Sequence, residues 1–146
     1  AIIQKLYPRM DQEIAILQMG GIGEYKKWKG LFSRFGLTVS CIADFDFVRD
    51  RHYPDAKAAS LRSETDIQVF KSKNSDWEQK VSSEYANSIY ILKEGNLEIY
   101  LDIPKGGNGL SRVIKFCTDK LDSFLIDDSS SKSAEVNWII SEIVSQ

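Results

Sequence analysis

The chain has 146 residues, of which 42% are hydrophobic and 27% charged, with a formal net charge of −2 and two cysteines. That length supports one domain burying about two thirds of its unfolded surface, and the balance of apolar and charged residues is that of a globular protein. The charge excludes a strongly basic nucleic-acid binder. No apolar run approaches the ~20 residues of a membrane span. Cys41 and Cys117 sit in apolar settings, read as small buried hydrophobes rather than as a metal motif.

Residues 1–8 read as the end of an amphipathic helix that stops at Pro8. No initiator Met or N-capping residue precedes it, so the chain is expected to be a piece of a longer protein, truncated at its N-terminus. Glu13 to Met19 predicts a short apolar strand, followed by the turn Gly20-Gly21-Ile22-Gly23. A helix comes next, with Tyr25, Trp28, Leu31, Phe32 and Phe35 on one face. Helical spacing makes that face a core stripe, and Gly36 is the natural stop. Leu37 to Ala43 is an apolar strand. It completes a strand–helix–strand unit expected to be parallel and right-handed.

Val48 to Asp55 is charged and reads as irregular. Residues 55–86 are polar and partly helical, with Trp77, Val81 and Tyr85 on one side. Ser88 to Leu92 is a third apolar strand, and Gly95-Asn96-Leu97-Glu98 turns into a short helix. Pro104 with residues 105–109 forms a loop. Leu110 to Leu125 carries one long amphipathic helix, residues 127–131 a polar turn, and Lys132 to Val144 a final helix. The alternation predicts an α/β fold with a small parallel sheet flanked by helices.

Chemistry concentrates after the strands. Asp44 and Asp46 lie i, i+2 at the end of the 37–43 run, and on a continuing strand both would share one face. Like charges so close need a cation or a shared proton. The economical cation is Mg²⁺, which takes hard oxygen ligands. If the strand ending at Leu92 is the neighbour, Glu98 joins them at one edge of the sheet, giving the three carboxylates that metal-dependent phosphoryl transfer uses. A lysine from among Lys105, Lys115, Lys120 and Lys132 completes such a site by offsetting phosphate charge. Gly20-Gly21-Ile22-Gly23 is not a P-loop and reads as a tight turn rather than a nucleotide site. The lone His52, among Arg49, Arg51 and Tyr53, reads as solvated, with contact to a nucleic-acid backbone as the alternative.

Several segments together resemble the TOPRIM domain of the OLD (overcoming lysogenization defect) family of ATP-dependent nucleases, over nearly the whole chain. Gly20-Gly21-Ile22-Gly23-Glu24-Tyr25 is similar to that family's glycine turn. Val39 to Phe47 is similar to its DxD strand, and Ile89 to Leu101 to its strand–Gly–x–hydrophobic–Glu–x–Tyr–Leu segment. Ser131-Lys132-Ser133-Ala134-Glu135 is similar to the lysine that opens its last helix. The resemblance implies a TOPRIM-like Rossmannoid sandwich over residues 1–146, cut from a larger ATPase-nuclease. It implies a cytoplasmic, Mg²⁺- or Mn²⁺-dependent DNA endonuclease, with a role in phage defence. Asp44, Asp46 and Glu98 would be metal ligands and Lys132 the catalytic lysine. Implied partners are DNA and an ATPase domain of the parent chain, with homo-oligomerisation through other domains and no membrane association. Two departures stand out. The family's first motif, an apolar strand ending in Glu-Gly-x-x-Asp, should lie upstream of Ala1, so the isolated chain is expected to be weakly active or inactive. Ile99 stands where many relatives carry a second acid, which leaves open one metal or two.

Two other readings compete. Asp44-Phe45-Asp46-Phe47-Val48 also resembles the nucleophile strand of haloacid-dehalogenase-type phosphatases, with Asp44 attacking phosphate and Asp46 as general acid. Phe124 to Asp128 resembles that family's distal acidic motif. Against it, a strand–helix unit precedes the DxD, and the Glu98 segment has no role. The third reading is a non-catalytic module that docks DNA or protein.

Overall fold

Two short apolar segments, Cys41–Asp44 (β1) and Ile89–Leu92 (β2), pair in parallel, with Cys41 opposite Ile89 and Asp44 opposite Leu92. They belong to a computed structural model that describes residues 15–17, 22–103, 109–127 and 129–145. The architecture is mixed α/β and mostly helical, with a two-stranded parallel sheet among the described residues. The chain divides into two compact units at residues 21/22 and 104/105. No described helix is long and apolar enough to cross a membrane.

The unit from residue 22 holds the sheet. A 3₁₀ turn, Ile22–Glu24, leads into α1, Tyr25–Ser33. Gly36, at φ +73°, closes it as expected. Its N–H bonds the Ser33 carbonyl and the Leu37 N–H bonds that of Phe32, the paired bonds of a left-handed helix stop. The expected core stripe is not formed. Tyr25 is buried, but Trp28, Leu31 and Phe35 are exposed, Phe35 at 73%. Helical spacing set these side chains on one face, but no described segment covers that face.

Tyr25 makes α1 useful to the sheet. Its hydroxyl lies 3.0 Å from the carbonyl oxygens of both Val39 and Asn87, the residues that lead into the two strands. Burial pushes this phenol up to about 12. Lys29 adds a bond to the Asn87 carbonyl at 2.8 Å.

β1 starts four residues later than the apolar run suggested. A strand needs a partner, and β2 offers four residues beginning at Ile89, so Leu37 to Ser40 have nothing to pair with in this ladder. β1 alternates buried and exposed residues, whereas all four residues of β2 are buried. Burial also pushes the Cys41 thiol up to about 11, an unreactive core group as its setting implied.

The crossover from β1 to β2 is helical. The stretch expected to be irregular after Asp46 is instead α2, Asp46–His52, followed by a 3₁₀ turn, Pro54–Ala56. Phe47 and Val48 are buried while Asp50 and Arg51 are exposed, so the charges hid a helical period. Then come α3, Glu64–Lys73, and α4, Trp77–Tyr85. Ser63 and Asp66 form a capping box at the start of α3, each side chain accepting the other's backbone N–H at 3.2 Å. Hydrogen bonds from the hydroxyls of Ser60 and Ser63 hold the Asp66 carboxyl below the usual range. After β2 comes α5, Leu97–Tyr100, capped by the Asn96 side chain, which accepts the Ile99 N–H at 3.0 Å.

The second unit contains α6, Gly109–Asp119, α7, Leu121–Leu125, and α8, Ser131–Val144. The long helix expected over 110–125 is broken at Lys120, whose φ of −125° is not helical. Leu121, Leu125, Val136, Ile139 and Ile140 are buried, and the Asn137 amide bonds the Leu125 carbonyl at 2.9 Å. Ile16 and Leu17, within the strand expected over 13–19, have no regular structure and are exposed. The helix expected over 1–8, residues 13, 14, 18 and 19 of that strand, Gly20, Gly21, Lys105 with most of its loop, and Asp128 lie outside the described residues.

Candidate functional site

The strand neighbours proposed from sequence are neighbours, so the carboxyl ends of β1 and β2 face the same way. Asp44 ends β1 and is exposed. Asp46 does not continue the strand; it is the first residue of α2, also exposed. The shared strand face inferred from the i, i+2 spacing therefore gives way to a strand–helix corner. Phe45 explains that corner. Its side chain is 1% exposed and meets Phe70 and Trp77 edge to face, at centroid distances of 5.9 and 5.7 Å. With Phe45 anchored inward, the acids on either side are left in solvent. Asp46 also lies in the first turn of its helix, where a carboxylate is favoured by the backbone dipole.

The Phe45 N–H donates to the Gly95 carbonyl at 2.8 Å, joining this corner to the turn that follows β2. Gly95 has φ +137°, and a Cβ there would lie 2.7 Å from Ile99 Cδ1 and 2.8 Å from Ile67 Cδ1. Only glycine fits this approach. Two residues past the Asn96 cap, Glu98 occupies α5 with an exposed side chain. Lys132 is the second residue of α8, in the other compact unit, and is half-buried. Lys115 and Lys120 lie on α6 and at the break before α7, both exposed.

Asp44, Asp46 and Glu98 are hard oxygen donors, the chemistry Mg²⁺ and Mn²⁺ take. Among the described residues no three His, Cys, Asp or Glu side chains group closely enough to hold a metal ion. The acids thus form an exposed acidic edge rather than a preassembled cage. Asp127, the acid of the phosphatase-like motif, accepts the Ser129 hydroxyl at 2.6 Å and the Ser129 N–H at 3.1 Å, building the turn ahead of α8.

Two residues that the sequence reading passed over stand out. Lys71 is buried at 8% exposure, with Nζ 4.4 Å from the Trp77 ring centroid, 5.4 Å from that of Phe45, and 3.4 Å from Glu94 Oε1. Glu84 is buried at 1% and takes His52 Nε2 at 2.7 Å and Arg51 Nε at 3.0 Å on a single oxygen. His52 is therefore paired within the fold rather than solvated. A signal for both was present. Lys71 falls at i+4 from Ile67, and Glu84 at i+7 from Trp77, each on an apolar face where a charge needs a partner. Comparison with protein-family models, with curated proteins and with solved structures finds no match to this chain.

Proposed function

We propose that the chain is a TOPRIM-like domain of a divalent-metal-dependent DNA endonuclease, with Asp44, Asp46 and Glu98 as the metal-holding acids. The observation that carries the reading is the parallel β1–β2 pair, closed at its carboxyl end by the Phe45 N–H to Gly95 carbonyl bond. That bond ties the DxD corner to the segment bearing Glu98, and ligands of α/β sheets bind at this end of the strands. When bound, a divalent ion supplies an activated water and offsets charge on the phosphate. The carboxylates would hold and orient it. Lys132, in the other compact unit, enters the reading on the resemblance alone, as the family's catalytic lysine. ATP dependence and phage defence would belong to the parent protein.

The test is Mn²⁺ binding by the 146-residue chain, followed by electron paramagnetic resonance of the free ion, alongside nicking of supercoiled plasmid. Asp44→Asn and Asp46→Ala should each weaken Mn²⁺ at least about tenfold, the scale of ~1.4 kcal/mol, with the circular dichroism spectrum unchanged. Mn²⁺ binding indifferent to both substitutions would sink the metal assignment. Nicking that survives Asp46→Ala would sink the assignment of Asp46 to the cleavage site.

A further inference from the structure

An open cleft of about 570 Å³ lies where α3, the first turn of α4 and the two residues after β2 meet. It is at the same end of the sheet as the acidic edge, because Lys93 and Glu94 directly follow β2. Phe45 forms the link: its ring packs against Trp77, which lines the cleft, and stands next to the Lys71 ammonium.

Lys71 is the unusual wall residue. A buried lysine is costly unless its charge and its donors are met. Here one carboxylate oxygen stands at 3.4 Å, a long contact, and two aromatic faces supply the rest. An ammonium has three N–H donors. Among the described residues its hydrogen bond is the one to Glu94, which leaves donors for a ligand in the cleft that Lys71 lines. Glu94 is spent on the wall itself: its other oxygen accepts from the Gln68 amide at 3.3 Å. Lys93 adds a second cation, and Glu78 is an exposed acid at the edge of the cleft. With two lysines and two glutamates the cleft has no net field to attract anions in general. Discrimination must come from the placed N–H donors beside an aromatic wall.

We propose that this cleft holds a nucleotide of the DNA strand next to the one being cut, its phosphate on Lys71 and its base or sugar against Trp77. The volume is that of a small-ligand site. Stacking on an aromatic side chain is the sequence-tolerant way to hold single-stranded bases. The nucleotide class rests on the nuclease reading, while the cleft and its buried cation do not.

The experiment titrates the 146-residue chain with the dinucleotide d(TpT), in low salt and excess EDTA, following tryptophan fluorescence and heat. Binding is expected for the native chain, weakened at least about tenfold by Lys71→Met. Because Lys71 is buried, Ser72→Glu is the companion variant. It adds a carboxylate at an exposed cleft position, leaves Lys71 in place, and should weaken d(TpT) about as much. Trp77→Phe should remove most of the fluorescence change. No binding by the native chain, or affinity unmoved by Ser72→Glu, would overturn the proposal. Metal is absent, so d(TpT) binding with no Mn²⁺ effect of Asp46→Ala would leave the cleft standing and remove the nuclease. Nicking with no d(TpT) site would do the reverse.

Discussion

At the scale of single residues, Gly95 constrains the candidate site more than any of the acids does. Its φ of +137° lies where side-chain-bearing residues are strained, and two isoleucine methyls occupy the space a Cβ would need. Gly95→Ala therefore combines backbone strain with overpacking, and is expected to cost about 3 kcal/mol. The urea midpoint should fall at unchanged slope. Mn²⁺ affinity should fall with it, because the Gly95 carbonyl accepts the Phe45 N–H that sits between the two aspartates. A loss below about 0.5 kcal/mol would mean the turn relaxes freely and does not set the corner.

Between elements, one buried carboxylate joins α2 to α4. Glu84, on α4, accepts from both Arg51 and His52 at the end of α2, while its second oxygen meets no hydrogen-bond donor among the described residues. Removing one member of a fully buried ion pair costs about 3–5 kcal/mol, because the remaining charge is stranded. Arg51 is 38% exposed and can rehydrate. Glu84→Ala is therefore expected to cost about 2 kcal/mol, and Glu84→Leu, which restores volume, about half of that. Thermal unfolding of the two variants checks the order. If Glu84→Leu were the worse of the two, the leucine would not fit the space that the carboxylate leaves, and packing would not offset the lost hydrogen bonds. Because α2 begins with Asp46, the same contact supports the acidic corner from the far end of the helix.

At the scale of the whole molecule, the core of the sheet-bearing unit is built on β2, whose four residues are all buried. Ile91 is 0% exposed in a strand buried on both faces, and α4 packs against it. Ile91→Ala should cost about 4 kcal/mol in lost transfer energy and cavity formation. Phe35, a larger side chain at 73% exposure, should cost less than about 0.5 kcal/mol when replaced by alanine. Chemical denaturation of the two variants in parallel measures the contrast. Similar losses at both positions would mean that the apolar face of α1 is covered in solution.

The sequence by itself determined what depends on neighbours along the chain. The helix ending at Gly36, the turn into the short helix carrying Glu98 and the final helix from Lys132 were all legible, because glycine stops and helical periods act over a few residues. The apolar runs ending at Ala43 and Leu92 were legible as strands for the same reason. Partners far apart in the chain decided the rest. β1 is four residues long because β2 is, and Asp46 left the strand because Phe45 had to turn inward onto Phe70 and Trp77. The stripe of α1 stayed exposed because periodicity selects a face but cannot supply what covers it. Lys71 and Glu84 read as ordinary polar residues until Trp77 and Glu94, Arg51 and His52 closed around them, since the energy of a buried charge depends on what folding brings next to it.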